Sequence, residues 1–254
     1  MNIKILGCSG GLTGAATAGA SSGSTCIQVS ESIIIDAGSG LNRLSLEQMR
    51  NIEHVVLTHA HMDHICALPM FLGNLFDHID HPVTIHALPE TIEVLKDCIF
   101  NSQIWPDLTQ LPSAEKPLMQ FHTVQPWRAF TLDDIEFTPF FVEHSVPTVG
   151  YSLRHQQEHF VFAADTTASE VLNDELNRLG NIDTLMIECS FPNSKAEIAL
   201  MSRHMTPRMV ELTLESLAAQ PHKIWITHLK PSYEQQIRHD IRANPDYHHW
   251  QVLR

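Results

Sequence analysis

The chain has no cysteine pair at CxxC spacing, no cluster of lysine and arginine, and no long apolar run. Its five cysteines, Cys8, Cys26, Cys66, Cys98 and Cys189, are odd in number and scattered. That argues against a disulfide scaffold and against a thiolate zinc site, and it fits a reducing compartment. Lysine and arginine together number 16 against 29 aspartates and glutamates, a formal net charge of −13. Proteins that grip long polyanions carry a basic patch to neutralise phosphates. A nucleic-acid partner is therefore disfavoured. A small phosphate ester is not, because bound divalent cations reverse the local sign of the field. No stretch approaches the roughly 18 apolar residues of a membrane span, so no membrane association is expected. Ile5-Leu6-Gly7-Cys8 superficially resembles a lipoprotein cleavage box, but the apolar run before it is too short for a signal-peptide core, and the expected location is the cytoplasm. With no linker, low-complexity tract or repeat, residues 1–254 are expected to form a single domain.

What the chain does have is histidine, 17 in all and unevenly spread. Three of them and an aspartate fall within six residues, as His59, His61, Asp63 and His64 in the stretch Thr58-His59-Ala60-His61-Met62-Asp63-His64-Ile65. Around this stretch, short β-type runs alternate with helical ones. Strands are predicted at 3–7, 25–30, 32–38, 54–59, 83–87, 135–144, 150–155, 159–165, 183–188 and 223–228. Helices are predicted from Asp63 onward, over 89–100, 168–179, 206–220 and 232–243; Thr206-Pro207 supplies an N-cap with proline at the first helical position. The last residues suggest an edge strand. The loop over 10–24, rich in Gly, Ala and Ser, lacks the Gly-Lys-Ser/Thr ending of a phosphate cradle and reads as a rim loop. Residues 101–127, with four prolines and two tryptophans, read as an irregular insert.

Ligand-type residues recur at predicted strand ends: Asp36, His59, His144, Asp165, Glu188 and His228. Side chains at the C-terminal tips of neighbouring strands converge on one edge of a sheet, where chemistry collects on a rigid frame. One ion needs about three or four protein ligands. The local motif offers four pointing in two directions, so it cannot complete two sites alone. His144, Asp165 and His228 meet the deficit. This gives His59, His61 and His144 around one metal and Asp63, His64 and His228 around another, with Asp165 bridging. Such paired ions are a known hydrolytic arrangement. A set of imidazoles and carboxylates without cysteine suits zinc, with manganese or iron also compatible, and fits catalysis better than a structural site.

The pattern resembles the metallo-β-lactamase superfamily, whose HxHxDH motif is similar to His59-Ala60-His61-Met62-Asp63-His64. Its strand-ending Asp-x-Gly matches Asp36-Ala37-Gly38, and its later His, Asp and His match His144, Asp165 and His228. The resemblance implies an α/β fold, the four-layer αββα sandwich, with a dinuclear centre between the sheets. Ala164-Asp165-Thr166 looks like the [G/A]DT element of the phosphodiesterase and tRNA 3′-endonuclease branches. Glu188-Cys189-Ser190-Phe191-Pro192-Asn193 and His204-Met205-Thr206-Pro207 are similar to segments of class II cyclic-nucleotide phosphodiesterases. An aspartate at 165, where true β-lactamases place cysteine, argues against antibiotic hydrolysis.

The implied activity is hydrolysis of 3′,5′-cyclic nucleotides, cAMP or cGMP, to nucleoside 5′-monophosphates. In that scheme Asp63 orients or relays the proton of the nucleophile. His204 is either the general acid or a support for Glu188. Ser190 and Asn193 are candidate substrate contacts, and Asp36 and Glu188 brace the ligands from behind. Trp105, Trp127 and Phe191 could stack on a base, although aromatic residues of this kind are more often core. The rivals are a tRNA 3′-processing endonuclease, a thioester or lactone hydrolase, and a non-catalytic metal-binding scaffold. A homodimer is the commonest closed assembly.

Overall fold

The computed structural model describes residues 1–12 and 23–254; most of the Gly/Ala/Ser-rich loop expected at 10–24 lies outside the described residues. The chain packs as two compact units, one of 1–7 and 22–125, the other of 8–21 and 126–254, where the sequence suggested one.

The first unit is built on a six-stranded sheet in the order β1-β2-β3-β4-β5-β8. Its elements are β1 (Lys4–Gly7), β2 (Cys26–Gln28), β3 (Ile33–Ile35), α1 (Leu46–Arg50), β4 (His54–Val56), α2 (Met62–Ile65), α3 (Leu68–Leu75), β5 (Val83–Ala87) and α4 (Pro89–Val94), which continues as a π-helical turn over Leu95–Ile99. A short hairpin, β6 (Pro112–Ser113) with β7 (Lys116–Pro117), precedes β8 (Met119–Thr123). β1, β2 and β3 pair antiparallel, whereas β3, β4, β5 and β8 run parallel. Alternate residues of the parallel strands, Val55, Val83, Ile85, Ala87 and Met119, join Leu68, Phe71, Leu72 and Leu75 of α3 in one apolar core.

The stretch 101–127 differs from the expected irregular insert. β8 pairs with β5 over its full length, from Val83↔Met119 to Ala87↔Thr123. The alternation of buried Met119, exposed Gln120, half-buried Phe121 and exposed His122 is a strand pattern, masked in the sequence by prolines on either side.

On the face of this sheet opposite the core lie His54, His86 and His122. Burial, then the neighbouring His54 and His122, push the His86 pKa from 6.5 down to about 3. The unfolded chain therefore binds a proton below about pH 6.5 that the folded protein refuses until about pH 3. Stability should fall over that window by up to ~1.4 kcal/mol per pH unit on this account. Urea titrations of chelator-treated protein should show a flatter pH dependence for His86→Gln than for wild type between about pH 6 and about pH 4. Parallel curves would remove His86 as the cause.

The second unit carries a seven-stranded sheet in the order β15-β14-β13-β12-β11-β10-β9. Its elements are β9 (Phe130–Leu132), β10 (Ile135–Val142), β11 (Thr148–His155), β12 (Glu158–Phe162), α5 (Glu170–Leu179), β13 (Thr184–Glu188), α6 (Ala196–Met201), α7 (Pro207–Glu215), β14 (Lys223–Thr227), α8 (Glu234–Ala243) and β15 (Trp250–Val252). β12 to β15 are parallel, and β9 to β12 are antiparallel. Two antiparallel steps give β10 the same direction as β12. The chain therefore leaves β10, β12, β13 and β14 at one edge, bringing His144, Asp165, Glu188 and His228 to it. α7 stops at Glu215, short of the predicted 220, and the edge strand predicted at the C-terminus is β15. Ser169 caps α5 by accepting from the Leu172 amide, and Thr206 caps α7 by accepting from the Met209 amide.

Candidate metal centre

In the first unit the motif residues sit where β4 ends and α2 begins, above Asp36 at the end of β3. Asp36 is fully buried, and its backbone is held at φ 57°, a left-handed conformation uncommon outside glycine. The Thr58 amide donates to Asp36 Oδ1 at 2.8 Å, and the Thr58 hydroxyl donates to Oδ2 at 2.9 Å. Having given its proton to the carboxylate, that hydroxyl accepts from His59 Nδ1 at 2.9 Å. His64 Nδ1 donates to Asp36 Oδ2 at 2.7 Å. Both rings are thereby assigned the Nδ1–H tautomer and present Nε2 as the ligand atom. His59 Nε2 lies 3.1 Å from His61 Nδ1. Asp36 thus hydrogen-bonds Thr58 and His64 from behind the motif, and Thr58 is the link that sequence reasoning missed. Its adjacency to His59 was the available signal.

Gly38 allows this packing. A Cβ there would come within 2.3 Å of the Asp63 carbonyl oxygen and 2.6 Å of that of Thr25. Only glycine lets the Asp36-Ala37-Gly38 turn lie against the backbone of the motif.

The second unit repeats the logic. Glu188, the last residue of β13, is fully buried and is held by four donors. These are the Thr166 amide at 3.1 Å, the Met205 amide at 3.3 Å, the Ser190 hydroxyl at 2.7 Å and His204 Nδ1 at 2.5 Å. The Ser190 oxygen then accepts from His228 Nδ1 at 3.0 Å, which turns His228 Nε2 toward Asp165 Oδ2 at 3.2 Å. His144 Nδ1 donates to the Arg203 carbonyl at 3.1 Å, and its Nε2 lies 3.9 Å from the same Asp165 oxygen. One ligand atom each from Asp165, His204 and His228 falls within 4.8 Å of the others.

Ser190 is corrected by this geometry. It is fully buried between Glu188, His204 and His228, so it holds the site together and does not face substrate. Asn193 is exposed, and its Oδ1 accepts from the Arg208 amide at 2.9 Å, which caps the first turn of α7. Trp127 is occupied by the Arg178 guanidinium, 3.7 Å from its ring centroid. The Arg203 carbonyl could not be anticipated, because a backbone acceptor has no residue signature.

Backbone strain gathers at the same places. Ala164, Arg203 and His228 have φ of 55°, 57° and 59°, immediately before Asp165, immediately before His204, and at a candidate ligand itself. With Asp36, these are four of the nine non-glycine residues at positive φ among those described; the others are Asp77, Ser102, Trp127, Asp133 and Gln156. Gly10 passes so near His228 that a Cβ would meet its Nδ1 at 2.9 Å.

Charge follows the hydrogen bonds. Burial alone would raise the Glu188 carboxyl, but the charge and hydrogen bond of His204 outweigh it and hold Glu188 below the usual range. Burial alone would lower His204; Glu188, with help from Asp165, outweighs it and raises its pKa. His144 is lowered, because burial outweighs the pull of Asp165. Glu188 and His204 thus each favour the charged form of the other, beside a His144 whose neutral form burial favours. Neutral imidazoles and carboxylates with oriented outer partners are the donor chemistry of a divalent cation such as zinc, manganese or iron.

The sequence profile of the beta-lactamase superfamily domain matches residues 31–229. The chain is 28% identical over 215 residues to a "Probable 3′,5′-cyclic-nucleotide phosphodiesterase" of Yersinia pestis, an alignment covering 73% of this chain and 59% of that one. It is 32% identical over 108 residues to 3′,5′-cyclic-nucleotide phosphodiesterase 1 of Saccharomyces cerevisiae, covering 39% of this chain and 27% of that one. It is also 28% identical over 130 residues to ribonuclease Z of Haloferax volcanii, covering 48% and 37%. The chain thus spans less than two thirds of the length of each of these relatives. Among solved structures, the metallo-beta-lactamase fold protein YhfI from Bacillus subtilis superposes with a TM-score of 0.74 at 17% identity, covering 99% of this chain and 95% of that one. At that identity the likeness concerns the fold alone. No helix among the described residues is long and apolar enough to cross a membrane.

Proposed function

Because the chain belongs to the metallo-β-lactamase superfamily, we propose that it is a metal-dependent phosphodiesterase that opens 3′,5′-cyclic nucleotides to nucleoside 5′-monophosphates. The observation that carries this reading is the buried Glu188–His204 pair, 2.5 Å from Oε1 to Nδ1. Breaking a bond to a ribose oxygen leaves an alkoxide that must be protonated. His204, whose pKa Glu188 raises against the effect of burial, supplies that proton.

On this reading His59, His61, Asp63 and His64 of the first unit and His144, Asp165 and His228 of the second would supply the metal ligands. When bound, two such ions supply a water of lowered pKa and offset the charge that grows on the phosphoryl oxygens. Asp63, in the first turn of α2, takes up the proton of the attacking water. His204 gives its Nε2 proton to the departing 3′-oxygen as the phosphorus–oxygen bond breaks. Glu188, locked by the Thr166 and Met205 amides, holds the His204 ring by Nδ1 in the orientation that presents the Nε2 proton.

The cyclic-nucleotide class is supported by the two similar phosphodiesterases and by Glu188–Asn193 and His204–Pro207. The ribonuclease Z match favours a second reading, RNA 3′-end cleavage, against which the net charge of −13 counts because it offers no basic track for a long polyanion. Metal-replete protein should be assayed on cAMP, cGMP, a tRNA precursor, an acyl thioester and bis(p-nitrophenyl) phosphate, with a chelator control. Chelator-sensitive turnover of a cyclic nucleotide, well above that of tRNA precursor and thioester, is expected. Preferred cleavage of tRNA precursor would replace the proposal with the second reading. Metal-dependent turnover of the thioester alone would replace it with a thioester hydrolase, and no metal-dependent turnover of any substrate in the panel would leave only a scaffold.

A further inference from the structure

The first unit carries a second group of histidines that this function does not use. His54 opens β4, His86 is the fourth residue of β5, and His122 is the fourth of β8. The three strands are adjacent and parallel, with His86 directly opposite His122 and two pairs along from His54, the next position on the same face. Alternation sends Val55, Ile85 and Phe121 to one face and the three histidines to the other. There His86 is buried, His54 half-buried and His122 exposed, so the group reaches solvent at the β8 edge.

The rings form a row. His54 Nδ1 lies 3.2 Å from His86 Nε2. The His54–His86 and His86–His122 ring centroids are 5.2 and 5.0 Å apart, inclined at 63° and 53°. Two nitrogens bound tetrahedrally to one zinc at 2.0–2.1 Å stand about 3.3 Å from each other. An N–H···N hydrogen bond also spans about this distance, so the spacing alone does not choose. One further fact does: a third imidazole, His122, flanks the pair on an exposed side chain at the sheet edge.

We propose that His54 Nδ1, His86 Nε2 and an imidazole nitrogen of His122, with water completing the shell, form a second binding site for a borderline divalent cation such as zinc, separate from the HxHxDH ligands. Strand pairing fixes the His54–His86 spacing, and rotation of the exposed His122 ring about its own side-chain bonds brings in the third nitrogen. No carboxylate or thiolate is required, which favours zinc, nickel or copper over magnesium or calcium.

The test compares wild type with the double variant His54→Ala/His122→Ala, leaving buried His86 in place. Both are stripped with chelator and equilibrated against the same buffered free zinc, and bound zinc per chain is measured by plasma mass spectrometry. The double variant should hold one equivalent fewer, with phosphodiester turnover unchanged. Because the readout is a difference, it does not depend on how many ions the main centre binds. Equal counts would overturn the site and leave the pair as a hydrogen bond only. As a check that needs no variant, the His86 ring nitrogen resonances of wild-type protein should move on zinc addition at constant pH. Resonances that stay in place at zinc saturation would also overturn it.

Discussion

Replacing Asp165 by alanine should lower cyclic-nucleotide turnover by more than about 1,000-fold while the protein stays folded. Asp165 follows β12 and is buried, with one carboxylate oxygen 3.2 Å from His228 Nε2 and 3.9 Å from His144 Nε2. As the ligand shared by both ions it would set their spacing. Ions so paired contribute several kcal/mol to the transition state, and about 4 kcal/mol corresponds to a factor of about 1,000. Structural loss is expected to be small, because the substitution removes a buried charge without cutting a strand ladder. Circular dichroism and thermal melting would monitor the fold, and bound metal would be counted alongside turnover. Near-normal turnover by metal-replete Asp165→Ala would sink the dinuclear reading outright.

Replacing His204 by alanine should produce an effect that depends on the leaving group. His204 Nδ1 is committed to Glu188, so only Nε2 can deliver a proton to substrate. Turnover of cAMP, whose ribose oxygen departs poorly without protonation, should fall by about 10²- to 10⁴-fold, the usual span for a general acid. Bis(p-nitrophenyl) phosphate releases a stabilised phenolate and should lose less than about tenfold on the same argument. Equal losses on both substrates would show that His204 only supports Glu188. Glu188→Gln gives a matching measurement. It removes the negative charge that raises His204 and should reproduce the same substrate dependence more weakly.

The metal motif needed no coordinates to be found, because four ligand-type residues within six positions have little other physical reason to occur together. The remaining candidate ligands, His144, Asp165 and His228, were legible as polar residues closing apolar strand runs. Strand ends are visible in sequence because the hydrophobic period stops there. The parallel and antiparallel pairing that brings β10, β12, β13 and β14 to one edge was not legible. It depends on which strands hydrogen-bond, a long-range choice that no local pattern encodes.

Proline also misled, since four prolines around residues 101–127 hid the alternation that makes Met119–Thr123 a strand. The roles within the site divide the same way. Residue type singled out histidine and aspartate as candidate ligands. Only the tertiary structure decided that Ser190 is enclosed between Glu188 and His228, that Thr58 hands the grip of Asp36 on to His59, and that a backbone carbonyl at Arg203 orients His144. A ligand's identity is a property of one side chain. Its orientation and protonation are set by neighbours that, Thr58 beside His59 apart, the fold brings from as far as 59 positions away in the chain.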